Sequence, residues 1–305
     1  MYVTFNSRPA PVNLRNTRII PFNFQYFEPE SLDEALQLLS QYGPEAKILA
    51  GGTDLLVKMK MRTVVPKYIV NIKRISRLRY IVMDGELLRI GALTTWRDLE
   101  KSELVREEVP ALHDAAKSMG SVQVRCMATV GGNLCNASPA ADSAPPLLVH
   151  EAKAKLTSKQ KTRTIKIEEL ITGPGKTTLR SDELLEEIII PRRGKGGSSF
   201  IKIGRVAVDL AIASAATYVV VEDGVVSEIR VALGSVAPKP IRARGCEAML
   251  KGRKINDDVL RAASEAVVSE VSPIDDVRSS AWYRREVSKA LVYDSLVRSL
   301  ARARR

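Results

Sequence analysis

Two short segments constrain this chain more than any other feature of it. The first is Ile48-Leu49-Ala50-Gly51-Gly52-Thr53-Asp54-Leu55 and the second is Thr129-Val130-Gly131-Gly132-Asn133. Each passes from apolar residues into two adjacent glycines and then into a small hydroxyl or amide side chain. Without a Cβ, the backbone can turn tightly and bring its N–H groups close to an anion. One such segment says little. Two of them, with Asp54 and Asp142 downstream, point to a ligand with a diphosphate and polyhydroxyl arms, gripped from two sides.

The bulk properties narrow the class. A chain of 305 residues buries a sizeable core and divides into roughly two or three compact units. Hydrophobic residues at 45% and charged residues at 27% give the balance of a globular, soluble protein. No apolar run approaches the roughly 20 residues needed to span a bilayer. Asn6, Ser7, Arg8 and two prolines interrupt the opening residues where a signal peptide would have its apolar core. A cytoplasmic protein is expected. Cys126, Cys135 and Cys246 have no metal-ligand spacing, and His113 and His150 are the only histidines, so no metal site is expected. The net charge of +12 raises nucleic acid as a partner. The basic residues are scattered, however, and aromatics are only 5% with none interleaved among them, so a wet basic surface is the better reading.

Periodicity and turn signals order the elements. Residues 1 to 20 read as an irregular extension. Ser31 and Glu34 form a capping box before the stripe Leu32, Ala35, Leu36, Leu39, which Gly43-Pro44 ends. Short strands are predicted over 47–49, 68–72 and 87–91, so the first glycine pair lies between a strand and a helical turn. Thr94 or Thr95 caps a helix near Trp96, and 109–119 is helical in pattern. Lys153, Lys155 and Thr157 alternate with Ala154 and Leu156, giving a hairpin with a wet basic face. The Gly- and Ser-rich stretch 191–199 reads as an exposed loop or boundary. Beyond it come a hairpin turning at Asp223-Gly224 and helical patterns near 241–251, 256–270 and 279–302. Strands grouped into antiparallel units favour α+β over a doubly wound sheet.

Several catalytic motifs fail on inspection. Gly173-Pro174-Gly175-Lys176-Thr177 has the end of a phosphate-binding loop, but Leu170 occupies the position that needs glycine and no helix follows. Neither glycine pair makes the G-x-G-x-x-G of a Rossmann unit. No nucleophile–base arrangement stands out. His113 reads as a surface or packing residue, His150 is equally unremarkable, and Cys135 reads as a small residue in a tight segment. No catalytic residue is expected.

At this point the sequence resembles a family. Ala50–Lys60 and Ala128–Pro145 look like the two flavin-binding signatures of the FAD subunit of molybdenum hydroxylases, which include aerobic carbon monoxide dehydrogenase and the xanthine and aldehyde oxidoreductases. Gly173–Thr177, Asp182-Glu183-Leu184-Leu185, Phe200-Ile201-Lys202 through Asp209, and Ser272–Arg285 extend the resemblance in order, from about Pro21 to the C-terminus. It implies an α+β chain: an extension over 1–20, a two-lobed PCMH-type FAD-binding domain over 21–196 (lobes about 21–75 and 76–196), and a smaller α+β domain over 197–305.

The resemblance also implies roles. Ile48, Leu49, Ala50, Gly51, Gly52, Thr53, Asp54 and Leu55 would form the first FAD loop, with Gly51, Gly52 and Thr53 donating to the diphosphate. Thr129, Val130, Gly131, Gly132 and Asn133 would form the second. Asp142 would accept from cofactor hydroxyls, and Lys202 would approach the flavin. Met119 stands where some relatives have an aromatic ring, and Cys126 where most have an amide. FAD would belong to this chain, with molybdopterin on a large partner subunit and a [2Fe–2S] cluster on a small one. A cysteine-rich insertion typical of benzoyl-CoA-reducing relatives is missing. Carbon monoxide, aldehydes and purines all fit as substrates of such a complex. A stand-alone flavin reductase or oxidase of related fold is the alternative within enzymes, and a basic scaffold or nucleic-acid-binding protein the alternative outside them.

Overall fold

The computed structural model describes Ile20 and residues 22–303; of the expected N-terminal extension, residues 1–19 lie outside the described residues. The chain begins with a small parallel sheet in the order β1-β3-β2, made of β1 (Gln25–Phe27), β2 (Ala46–Leu49) and β3 (Tyr68–Asn71). Helix α1 (Leu32–Tyr42) joins β1 to β2 and buries Leu32, Ala35, Leu36 and Leu39, the stripe expected from the sequence, together with Leu38. Ser31 accepts from the N–H of Glu34 as expected, but the Glu34 carboxylate accepts from the Glu30 N–H, so the box closes one residue earlier. Gly43 stops the helix at φ +46°. The short helix α2 (Leu55–Lys60) then leads towards β3.

The second lobe is an antiparallel sheet in the order β4-β5-β10-β6-β7, with β4 (Ile81–Asp84), β5 (Leu87–Gly91), β6 (Lys153–Thr157), β7 (Thr162–Lys166) and β10 (Leu184–Pro191). Six short helices pack over it: α3 (Trp96–Lys101), α4 (Glu103–Glu108), α5 (Pro110–Ser118), α6 (Val122–Met127), α7 (Val130–Asn136) and α8 (Ala144–Val149). Trp96, Leu112, Leu134 and Leu147 from these helices meet Leu88 and Ile90 of β5 in one fully buried cluster. Thr95 and Asp98 make a reciprocal capping box at α3. The short helix α9 (Ile167–Leu170) and the ribbon of β8 (Ile171–Gly173) and β9 (Lys176–Thr177) complete this lobe.

The face carrying Lys153, Lys155 and Thr157 is not simply wet. Lys155 reaches the buried Glu186 at 3.2 Å and Glu187 at 3.5 Å on β10, and Thr157 is itself buried and donates to Glu186. Alternation fixed which residues share a face, but only the neighbouring strand supplies the carboxylates.

The last unit is a four-stranded antiparallel sheet, β11 (Gly197–Ile203), β12 (Ala213–Glu222), β13 (Val225–Gly234) and β14 (Ile241–Arg242). Asp223 and Gly224 turn the β12–β13 hairpin with both φ values positive, as the dipeptide predicts. Helices α10 (Arg244–Leu250), α11 (Asp257–Ala266) and α12 (Ala281–Ala303) share one cluster with this sheet, while Phe200, Ala216, Tyr218 and Ala232 join the cluster of the second lobe.

Gly197, Ser198 and Ser199, expected in an exposed loop, are buried strand. A Cβ on Gly197 would stand 2.0 Å from the Ser299 carbonyl oxygen, so glycine lets α12 lie against the strand. The Ser199 hydroxyl bonds Ser295 at 2.8 Å, and Thr217 bonds Ser299 at 2.7 Å, so the buried hydroxyls satisfy one another. Ser198 meets Nε2 of buried His150 at 3.0 Å. Burial, with Arg193 and Arg230 near by, pushes that imidazole down to about 3, so it stays neutral and acts as packing.

Candidate functional site: a cleft between two glycine bends

The two glycine segments meet. A Cβ on Gly51 would stand 2.1 Å from the Met127 carbonyl oxygen and 2.9 Å from the Ala128 Cα, and one on Gly132 would stand 3.9 Å from the Ala50 Cβ. Both segments line one open cleft of about 450 Å³. Ile48, Ala50 and Gly51 through Leu55 supply one wall; Thr129, Gly131, Gly132 and Asn133 supply another. Leu49 and Val130 stand behind these walls in the core. The β8–β9 region adds Gly175, Thr177 and Arg180, and Met119 also lines the cleft.

The four glycines do different work. Gly52 sits at φ +79°, where other residues are strained. Gly51 and Gly131 permit backbone-to-backbone contact, since a Cβ on Gly131 would meet the Ala92 carbonyl at 2.7 Å. The second segment is not the open bend expected from its composition. It is the first turn of α7, capped by the Thr129 hydroxyl, which accepts from Gly132 N–H at 3.1 Å. Val130 N–H donates to Thr94, Gly131 to Ala92 and Asn133 to Thr129. The expectation that amides of both bends are free for an anion is therefore corrected. Among the described residues, the N–H groups of Gly51, Gly52 and Thr53 have no partner, whereas those of Val130 to Asn133 are engaged. A strand ending at Leu49 and a helix starting at Leu55 leave the first set without a ladder. The second wall offers side chains instead: the Thr129 hydroxyl proton and the Asn133 amide, whose oxygen is held by Ser143.

Asp142 and Lys202 pair at 2.6 Å with nearly buried side chains; neither is among the residues that line the cleft, but Asp142 adjoins Ser143, which holds the cleft residue Asn133. Burial raises the Asp142 carboxyl and the Lys202 ammonium opposes this. One Asp142 oxygen, Oδ1, has no hydrogen-bond partner.

Two side chains that line the cleft, Lys58 and Arg180, are not singled out by the sequence. Lys58 lines the cleft and donates to Asn136 Oδ1 at 2.5 Å, joining the first lobe to the end of α7. It lies one helical turn from Asp54, a spacing visible in the sequence, while its contact with Asn136 spans 78 residues. Asp54 is an exposed residue, yet partial desolvation raises its carboxyl against the pull of Lys58. Arg180 lines the cleft and holds Glu183 at 2.8 Å, and Arg163 donates to the same carboxylate oxygen at 2.7 Å. Burial alone would raise the Glu183 carboxyl, yet hydrogen bonds from Arg163 and Arg180 hold it down at about 2. A depressed folded-state value means this contribution is present above the ordinary carboxylate range and lost as pH falls through about 2. A Glu183→Gln variant is accordingly expected to show a weaker loss of melting temperature between neutral pH and pH 3 than wild type, read by circular dichroism; parallel pH curves would contradict it.

A two-lobed α+β unit with a glycine-lined cleft and free amides, followed by a sheet-and-helix domain, defines a class: a binder of a diphosphate-bearing ligand outside the Rossmann group. The comparisons make this specific. Residues 22–193 match the family described as FAD binding domain in molybdopterin dehydrogenase, and residues 198–298 match the CO dehydrogenase flavoprotein C-terminal domain. The chain is 36% identical over 271 residues to the glyceraldehyde dehydrogenase medium chain of Sulfolobus acidocaldarius, covering 89% of this chain and 96% of that one. It is 35% identical to the xanthine dehydrogenase FAD-binding subunit of Escherichia coli O157:H7, covering 92% and 98%. The solved carbon monoxide dehydrogenase from Hydrogenophaga pseudoflava superposes with a TM-score of 0.90 at 35% identity, over 93% of this chain and 99% of that one. The chain belongs to the FAD-binding subunits of the molybdenum hydroxylase family, and is an oxidoreductase subunit with FAD as its cofactor. No helix among the described residues is long and apolar enough to cross a membrane.

Proposed function

We propose that this chain is the electron-transfer subunit of a heteromeric molybdenum hydroxylase, taking electrons from a small [2Fe–2S] partner and passing them to an external acceptor, while a large molybdopterin partner oxidises the substrate. Residues 21–196 would form its FAD-binding unit and 197–305 a second domain. The assembly would be cytoplasmic, in keeping with the free thiols Cys126, Cys135 and Cys246. The observation that carries the reading is the run of unengaged N–H groups at Gly51, Gly52 and Thr53 in a cleft closed by the second glycine segment.

These donors suit a diphosphate because charge-assisted hydrogen bonds from fixed backbone amides need no reorganisation. The Thr129 hydroxyl and Asn133 amide would add donors from the second segment, and Lys58 a positive charge. Ile48, Ala50, Asp54, Leu55, Gly131 and Gly132 would shape the walls, with Leu49 and Val130 supporting them from the core. Asp142 would belong to the same site through its unpartnered Oδ1, a buried acceptor suited to a hydroxyl or N–H donor, with Lys202 fixing its orientation. Bound FAD supplies redox chemistry in one- or two-electron steps; the protein supplies orientation and electrostatics. None of these roles requires a general acid or base in this chain.

The test is direct. The purified chain is expected to be yellow, to hold FAD stoichiometrically, to oxidise no substrate alone, and to co-purify with two further chains when the three are co-expressed. A colourless protein that takes up no FAD would remove the proposal, and substrate turnover by the isolated chain would favour a stand-alone flavoenzyme. Lys58→Ala is expected to weaken FAD binding by about tenfold through loss of one charge-assisted contact. Fluorescence quenching of added FAD reads this, and an unchanged dissociation constant would exclude Lys58 from the site.

A further inference from the structure

A second concavity, of about 390 Å³, lies away from the flavin cleft where the β6–β7 hairpin of the second lobe faces the C-terminal domain. Its wall carries five cations, Lys153, Lys166, Arg193, Arg242 and Arg244, against two carboxylates, Glu151 and Glu168. The carboxylates are already engaged: Glu151 by Arg193 and by Arg230 at 3.0 Å, and Glu168 by both oxygens with Arg244 at 2.9 Å. Arg242 is held by Glu247 at 2.6 Å from outside the lining.

Lys153 and Lys166 are different. They are directly opposed residues on neighbouring strands, and neither has an ion pair among the described residues. Like charges directly across a ladder destabilise it. Elsewhere in the lining Arg193, whose terminal nitrogens meet Glu151 and Glu228, has a buried Nε with no acceptor. The site therefore has an excess of donors, a repelling lysine pair and one orphaned guanidinium nitrogen in a pocket of small-molecule size.

We propose that this pocket binds a compact, multiply charged anion of the diphosphate class, bridging the hairpin lysines to the arginines of the C-terminal domain. Two adjacent ammonium groups and a guanidinium suit phosphate oxygens. No aromatic residue lines the pocket, so nothing there would stack on a nucleobase, and the favoured ligands are non-aromatic phosphorylated molecules rather than nucleotides. Binding would relieve the Lys153–Lys166 repulsion and tie the two units together.

The experiment is calorimetric titration of inorganic pyrophosphate into the FAD-loaded full chain, with flavin absorbance followed to establish that the cofactor stays bound. One saturable site per chain is expected, with a rise in melting temperature that grows with pyrophosphate. The Lys153→Ala/Lys166→Ala double variant should bind about tenfold more weakly or worse, and Lys159→Ala, an exposed lysine in the same hairpin outside the pocket lining, should bind like wild type. ADP should bind no more tightly than pyrophosphate. Absence of saturable heat in wild type, an unchanged affinity in the double variant, or release of FAD by pyrophosphate would each overturn the proposal.

Discussion

A Gly51→Val variant is expected to fold with both lobes intact but to lose FAD, reading as a protein whose flavin absorbance falls to a small fraction of wild type. The reason is geometric. The new Cβ would stand 2.1 Å from the Met127 carbonyl oxygen and 2.8 Å from its carbon, and both are backbone atoms that no rotamer change can clear. The first bend must therefore move off the second. Overpacking of this kind costs about 1–3 kcal/mol of stability. The larger effect falls on the ligand, because the amides of Gly51, Gly52 and Thr53 shift together. Losing two charge-assisted hydrogen bonds at about 1.5–3 kcal/mol each corresponds to a loss of affinity of two orders of magnitude or more. Gly173→Ala is the matched control, since a Cβ there meets nothing within 4 Å. Stoichiometric flavin in Gly51→Val would mean that the contact between the bends does not position the cofactor.

Arg284→Ala is expected to produce the largest loss of stability among single substitutions in the C-terminal domain, about 3–5 kcal/mol, the range for removing one partner of a buried charge network. Arg284 is 2% exposed. Its guanidinium donates to the Ile212 carbonyl at 2.6 Å, to the Ser235 carbonyl at 3.0 Å and to Asp276 at 2.7 Å. It thereby ties α12 to the ends of β12 and β13 and to the segment before the helix. Hydrogen bonds from Arg278, and the charge of Arg284, hold the Asp276 carboxyl far below its ordinary range against the opposing pull of burial. Truncation leaves two buried carbonyls without donors. Chemical denaturation should show a fall in midpoint with little change in slope. A midpoint within experimental scatter of wild type would show that water replaces the guanidinium. Arg278→Ala, whose side chain is 27% exposed against 3% for Arg284, should cost less because no buried carbonyl loses its donor.

Legibility in the sequence followed the range of the physics. The amphipathic stripe of α1, the Asp223-Gly224 turn and the Thr95 cap depend on contacts within a few residues, and each appears where periodicity and turn chemistry put it. The stretch 191–199, read as an exposed loop or boundary, does fall between the two matched families and is exposed at 194–196, but residues 197–199 are buried strand, where glycine and serine usually mark exposed chain. Here Gly197 is required by the close approach of α12, and the serines are satisfied by hydroxyls about a hundred residues away in sequence. Lys58 was visible as a charge one turn from Asp54, but its partner Asn136 was not. The resemblance on the motif residues supplied the family and the cofactor, which local rules alone left at the level of a diphosphate-bearing ligand.

By itself the sequence determined that two glycine pairs exist, that each follows apolar residues, and that strands group into antiparallel units as in an α+β chain. Tertiary structure decided what each glycine is for. Gly51 and Gly131 serve backbone packing, Gly52 a left-handed φ, and only the first bend keeps its amides unengaged, because the second is absorbed into a helix docked on Ala92 and Thr94. Whether a main-chain donor is available depends on what lies within three ångströms of it, and a pattern of residue types carries no information about that distance.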